Sequence, residues 1–285
     1  MINNSTMYEH PYANRVVVIG DIHGDIKRFK NILIHAKIIN NDLEWIADPP
    51  NTIVVQMGDQ IDSANRHPDS TDWEKLEDIS MLYFTNSIDV IAKGKGGRVI
   101  SMIGNHELMN VMGNFAYVSK NSQCTNRHQM FMPTGTLSSI LANRPIVLKI
   151  GSFFFCHAGI KRKHLDILEK HNKEISYLNK IWKQFLTTNN VYIQDKEIFE
   201  EIIVNDNGIL WTRELDNKDD MEYVLKHLGC RFIFVGHSTV DSIQLINDSI
   251  WLTDNGISRA FGGTSYQYMN IINNSIHIET LSDIN

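Results

Sequence analysis

The sequence predicts an α/β fold in which two sheets pack face to face with helices outside. Three observations carry this expectation. From Arg15 to Gly104, short β-branched runs alternate with stretches of helical periodicity, the pattern of a mostly parallel sheet. From Phe232 onward the pattern is strand alone. Short clusters of Asp, His and Asn fall where hydrophobic strands end, which is where open α/β sheets place their sites. With 285 residues and 42% hydrophobic content, there is ample material for one large core.

The elements follow in order. Residues 1–14 read as a polar, poorly ordered lead-in, and 15–285 as a single domain without a convincing linker. Arg15–Gly20 (RVVVIG) is a buried strand. Residues 25–39 carry Ile26, Phe29, Ile32, Leu33 and Ala36 at helical spacing. Thr52–Gly58 (TIVVQMG) is a second buried strand, and residues 63–71 form a polar loop. A long helix is expected over Asp72–Ala92, capped by Thr71 or Asp72, before a third strand, Arg98–Gly104. Residues 107–135 lack periodicity and are expected to be loop with short helices. Pro145–Ile150 and Ser152–His157 read as paired strands about a tight turn, and residues 161–203 as helical. Asp219–Leu228 is a helix ended by Gly229 in a left-handed cap. Strands are then expected at 232–236, 242–246, 250–253, 265–272 and 275–280.

The clusters carry the chemistry. They read Gly20-Asp21-Ile22-His23-Gly24, Gly58-Asp59-Gln60-Ile61-Asp62 and Gly104-Asn105-His106-Glu107. His157 and His237 follow two later strands in the same setting. Carboxylate, amide oxygen and imidazole are the ligands hard or borderline divalent cations favour, and no cysteine joins the set. Glycine before Asp21, Asp59 and Asn105 lets the chain turn sharply close to an ion. Two cations about 3.5–4 Å apart can share a carboxylate and a bridging hydroxide that attacks phosphorus in line. A neighbouring histidine can protonate the leaving oxygen.

Composition narrows the alternatives. A net charge of −6 without a basic stripe argues against nucleic acid as partner, though not against phosphate, because bound metals bring positive charge. No stretch approaches the ~20 apolar residues of a membrane span. No signal peptide is apparent, and three scattered cysteines suit a reducing interior, so an intracellular, cytoplasmic location is expected. Cys156 reads as a small core residue. His10, His35, His67, His164, His171, His227 and His277 read as structural or surface groups. His128 lies in the aperiodic stretch that should overhang the site. The Lys93–Arg98 run precedes a strand and reads as a solvated turn, not a phosphate loop. Lys161-Arg162-Lys163 reads as a solvated helix start, or else as a patch that draws anionic substrate toward the metals.

Asp21-x-His23-Gly24, Gly58-Asp59-x-x-Asp62 and Gly104-Asn105-His106-Glu107, with His157 and His237, resemble the signature motifs of the phosphoprotein phosphatase family of calcineurin-like metallophosphoesterases. The resemblance looks closest to the Shewanella-like phosphatase branch. It rests there on Gly104–Asn110, Phe155–Gly159, Asn172–Ser176, Leu210–Arg213 and Trp251–Arg259. It implies a four-layer α/β/β/α metallophosphatase sandwich of two mixed sheets flanked by helices. It implies that Asp21 and His23 hold one metal, that Asp59 bridges, and that Asn105, His157 and His237 hold the second. His106 would be the general acid oriented by Asp62, and Arg213 would clamp phosphate. The implied cofactors are two divalent or trivalent ions, manganese, iron or zinc. The implied activity is a protein phosphatase acting on phosphoserine, phosphothreonine or phosphotyrosine, with partner subunits left open. One departure is clear: the family's second motif continues with Arg-Gly, whereas Ser63-Ala64-Asn65-Arg66 follows Asp62 here. Either Arg66 reaches back, or one phosphate contact worth about 1.5–3 kcal/mol is lost. Ala158 also replaces a family glycine after His157. The alternatives are a hydrolase of dinucleoside polyphosphates or other small phosphate esters, and a catalytically weak phosphate-binding scaffold.

Overall fold

The run at Arg15–Ile19 becomes a strand buried at every residue. In the computed structural model, which describes residues 8–66, 76, 78–215 and 217–283, the strands run in chain order. They are β1 (Glu9–His10), β2 (Arg15–Ile19), β3 (Ile53–Gln56), β4 (Arg98–Ser101), β5 (Val147–Ile150), β6 (Phe153–Cys156), β7 (Phe232–Val235), β8 (Gln244–Ile246), β9 (Ile250–Leu252), β10 (Ser265–Ile272) and β11 (Ser275–Ser282). One sheet has the order β11-β10-β2-β3-β4 and the other β1-β5-β6-β7-β9-β8. Both are mixed. β2, β3 and β4 are parallel neighbours, with Val16 opposite Ile53 and Ile53 opposite Arg98, while β10 runs antiparallel to β2.

Period-two alternation sorts the side chains into layers. Val16, Val18, Ile53, Val55 and Ile100 face Leu148, Phe153, Phe155 and Phe234 across the space between the sheets. Phe155 and Phe234 stack there with centroids 4.8 Å apart. Val17, Ile19, Val54 and Val99 turn outward onto two helices, α1 (Ile26–His35) and α2 (Asp78–Gly94), through Phe29, Ile32, Leu33, Met81, Ile88 and Ala92. Phe154, Cys156, Ile233 and Val235 turn outward from the other sheet onto Leu165, Leu178, Ile181, Trp182 and Val224. The layers are therefore α/β/β/α, as the resemblance implies, and Cys156 is a buried core residue. Among the described residues no helix is long and apolar enough to cross a membrane.

One expectation is corrected and others are refined. The described part of the lead-in is ordered into the sheet: Glu9 and His10 pair in parallel with Lys149 and Ile150 of β5. The stretch at 161–203 is helical as expected, in separate pieces: Arg162–Lys170, Tyr177–Thr188 and short helical turns over 193–204. Asn172 and Asn189 mark two of its breaks with φ of 53° each, a left-handed conformation that asparagine tolerates better than most residues. The caps expected at Thr71 and Asp72 lie outside the described residues, and α2 is described from Asp78. The helix before β7 runs Lys218–Leu228, and Gly229 ends it at φ 59°.

Candidate metal centre

The loops after β2 and β3 are laced together by backbone hydrogen bonds before any side chain acts. The N–H groups of Ile22 and His23 donate to the Asp59 carbonyl at 3.1 and 3.0 Å, and Gly24 donates to the Gln60 carbonyl at 2.7 Å. Glu107 supplies the second tie. It sits in the first turn of a short helix, α3 (Asn105–Val111), fully buried. Its carboxylate accepts N–H groups from Gly104 at 2.8 Å, Asp59 at 2.9 Å and Gln60 at 2.8 Å. One side chain thus fixes the second motif onto the third. Burial pushes the Glu107 pKa up, and so does Asp59 beside it, while these N–H donors favour the ionised form.

The glycines serve two purposes. Gly58 has φ 100°, which disfavours any other residue. Gly104, with φ −108°, is ordinary backbone, but a Cβ there would collide with Asp59 Oδ1. The sharp turns fall on functional residues themselves: His23, Asp59, Asp62 and His237 have φ of 43°, 48°, 69° and 63°. Left-handed non-glycine residues are costly and persist where the surroundings over-determine them.

The side chains then converge. His157 Nδ1 pairs with the Met57 carbonyl at 2.8 Å, which leaves Nε2 3.4 Å from Asp59 Oδ2 and 3.0 Å from Asn105 Oδ1. His237 Nε2 pairs with the Trp211 carbonyl at 2.9 Å, and its Nδ1 lies 2.9 Å from Asn105 Oδ1. His23 Nδ1 pairs with the Ile61 carbonyl at 2.9 Å. Each imidazole has one nitrogen anchored on backbone and the other free to ligate, the arrangement that orients metal-binding histidines. Two groups result, His23/Asp59/His106 and Asp59/His157/His237, each with ligand atoms within 4.8 Å of one another and Asp59 common to both. Asp21 and Asn105 line the same open cavity of about 300 Å³. Asp21 Oδ2 accepts the His237 N–H at 3.0 Å, but its Oδ1 is buried with no hydrogen-bond partner among the described residues.

Electrostatics agree with a cation site. Burial pushes the Asp59 carboxyl up, but the rings of His157, His106 and His23 overcome this and hold its pKa well below the usual range. Burial opposes charge on His157, yet Asp59 and Asp21 raise it to about 10. Burial and the His157 ring lower His237 to about 3, and burial with Arg66 lowers His23. Burial, then Asp254, drives Asp21 well upward. Two buried carboxylates, an orphaned oxygen and an O/N donor set without thiols fit a pair of hard or borderline cations.

His106 occupies the far side. Its Nδ1 meets Asp62 Oδ2 at 2.9 Å, and its Nε2 lies 3.9 Å from Asp59 Oδ2. Arg66 reaches back over this ring: its Nη2 sits 2.7 Å from His106 Nε2 and donates to the Asp62 carbonyl at 2.9 Å. The Tyr117 ring supports the Arg66 guanidinium at 5.0 Å. Arg213 stands exposed and also lines the cavity, its Nη1 donating to the His237 carbonyl and Ser238 Oγ at 3.0 Å each. All the expected residues except Asp62 and His157, which lie beneath, line one cavity.

Three lining residues were missed by the sequence reading: Thr239, Asp254 and Phe261. Asp254 and Thr239 are hydrogen-bonded to each other at 2.7 Å. Asp254 lies within the Trp251–Arg259 segment, which was the available signal. His128 is exposed and faces Phe115 rather than the cavity, while its neighbour Arg127 is buried. His67 lies outside the described residues. Lys161 pairs with Glu214, and Arg162 covers the Tyr223 ring, so that cluster is a surface feature.

Comparison with known proteins gives these residues a family. The model of the calcineurin-like phosphoesterase family matches residues 14–241. The Shewanella-like protein phosphatase 1 of Plasmodium berghei is 27% identical over 277 residues, covering 88% of this chain and 70% of that protein. The Shewanella-like protein phosphatase 2 of Arabidopsis thaliana is 35% identical over 115 residues, 40% of this chain and 26% of that protein. The solved cold-active protein-tyrosine phosphatase of a psychrophilic Shewanella superposes with a TM-score of 0.74 at 21% identity, covering 96% of this chain and 82% of that one, and so shares its fold. Because the family model spans most of its length, the chain belongs to the calcineurin-like phosphoesterases, with Shewanella-like protein phosphatases among its relatives, and is a metal-dependent phosphatase.

Proposed function

We propose that the protein is a dinuclear phosphomonoesterase that removes phosphate from phosphoproteins, at serine, threonine or tyrosine. The observation that carries this reading is Asp59 shared by two groups of converging ligand atoms, with Asp21 and Asn105 lining the same cavity, His106 held by Asp62, and two arginines in the lining. Asp21, His23 and Asp59 would hold one cation, and Asp59, Asn105, His157 and His237 the other. Bound cations supply an activated water and neutralise phosphoryl charge; manganese, iron and zinc suit this donor set.

The chain's own residues do the rest. Arg66 and Arg213, both lining the cavity, bind phosphoryl oxygens through guanidinium forks, and Arg66 makes up for the arginine absent at Ser63. Asp62 accepts a hydrogen bond from the His106 Nδ1–H, which directs Nε2 toward the leaving oxygen. Arg66 donates to Nε2 in this structure, so Nε2 takes up the proton it delivers only once Arg66 has turned to the phosphate. Glu107 keeps Asp59 and Gly104 in register throughout.

The test is a panel of phosphotyrosyl, phosphoseryl and phosphothreonyl peptides, p-nitrophenyl phosphate and diadenosine tetraphosphate, assayed with added manganese. Release of phosphate from peptides, with the highest specificity constants there, is the expected result. No release from any ester, with Asp59→Asn indistinguishable from the parent, would overturn it.

A further inference from the structure

Beneath His106 lies a buried charged cluster that the chemistry above leaves without a task. Arg127 opens a short helix (Arg127–Phe131) in the aperiodic stretch and is buried, as are Asp62, Asp78 and Asn110. Its Nη2 donates to Asp78 Oδ2 at 2.9 Å and reaches Asp62 Oδ1 at 3.4 Å. Its Nε donates to Asn110 Oδ1 at 2.8 Å and its Nη1 to the Ser122 carbonyl at 2.9 Å. The Phe131 ring lies 4.7 Å from the guanidinium carbon. Two of these partners lead on to Asp62. Asn110 Nδ2 donates to Asp62 Oδ2 at 2.8 Å, and Asp78 Oδ1 accepts the Asp62 N–H at 3.0 Å. Asp62 is thereby clamped at both backbone and side chain, in a left-handed conformation it would otherwise leave.

The cluster is a poor device for stability alone. It buries two carboxylates against one guanidinium, and burial together with Asp62 pushes Asp78 up to about 7. Apolar residues of similar volume are commonly as stabilising as buried ion pairs, or more so. What the cluster does supply is one fixed orientation for Asp62, and through it for the His106 ring.

We propose that Arg127, acting with Asp78, is a positioning residue for leaving-group protonation: it fixes Asp62, which fixes the ring and tautomer of His106. The inference rests on the reading of His106 as the general acid. In that step the ester P–O bond breaks and its oxygen departs with the Nε2 proton. The attacking water's oxygen forms the new P–O bond, and its released proton restores the ring. A good leaving group such as 2,4-dinitrophenolate departs without that proton, whereas phenolate needs it.

The experiment compares kcat/KM across aryl phosphates from 2,4-dinitrophenyl to phenyl, for the parent, His106→Asn, Arg127→Met, Arg127→Lys and Asp78→Asn. His106→Asn sets the benchmark, with phenyl phosphate slowed on the order of 10²–10⁴-fold and the dinitrophenyl ester far less. Arg127→Met is expected to follow it, losing on the order of 10²-fold on phenyl phosphate and under about threefold on the dinitrophenyl ester. Arg127→Lys, which keeps the buried charge, recovers part of the loss. Asp78→Asn, which keeps the shape, shows the same selectivity if Arg127→Met fails to fold. An independent readout is the His106 Nδ1–H signal in ¹⁵N–¹H spectra of metal-free protein: slowly exchanging in the parent, broadened or lost in Arg127→Met. An equal loss on every ester, or an unchanged ring proton, overturns the role of Arg127 while leaving His106 in place. An equal loss in His106→Asn removes the general acid and this inference together.

Discussion

The floor and the rim of the cavity are built on different principles. On the floor, Asp59, Glu107 and His157 are buried and locked by hydrogen bonds to backbone groups of 2.8–2.9 Å, in loops that leave room for nothing larger than glycine at 58 and 104. At the rim, Arg213 is exposed and Arg66 half-buried, and they rest on carbonyl oxygens, a hydroxyl, an imidazole and a tyrosine face. The floor is preorganised for ions with exacting geometry. The rim can give way, which the proposed role of Arg66 requires, since it would leave His106 to meet a phosphoryl group. Rigid support beneath adaptable loops is how catalytic precision and substrate entry coexist.

Substitutions should separate the two regions. Asp59→Asn has the largest expected effect, because Asp59 belongs to both ligand groups: phosphate release falls to background and metal per chain, by elemental analysis, falls with it. Glu107→Ala comes next. It strips the acceptor from three buried N–H groups, so a loss of at least about 3 kcal/mol in urea unfolding is expected. A loss below about 1 kcal/mol would mean that the floor is not locked as described. Arg213→Ala and Arg66→Ala should each lower kcat/KM about 10- to 100-fold with metal content unchanged, the cost of one charge-assisted contact. Metal loss in either would erase the distinction between floor and rim. Tyr117→Leu should be mildest. Removing the ring face under Arg66 costs about 0.5–1 kcal/mol and raises KM by severalfold at most.

Legibility follows the same division. The motifs could be read because each sits directly after a short strand, and RVVVIG and FFFC show their burial in their composition. Arg66 could be flagged only as a question, since loop composition does not say where a long side chain lands. Arg127, Asp78 and Asp254 went unread for a similar reason. Each acts across a long stretch of chain, from an aperiodic loop, a helix start and a strand end. The same blindness to non-local pairing hid the sheet order: nothing in the periodicity of β10 tells that it joins β2 rather than its sequence neighbour β9. It also hid β1, two residues long, whose partner β5 lies far downstream.

The union of β10 with β2 places Met269 opposite Val18 and Ile272 opposite Arg15. During translation, Asp21 and His23 leave the ribosome early, but the strand that delivers them keeps an open edge until residue 272 has emerged. Maturation of the enzyme therefore waits on late synthesis, and a nascent chain halted before Ser265 presents a β-branched edge with nothing to seal it, the kind of template on which aggregation starts.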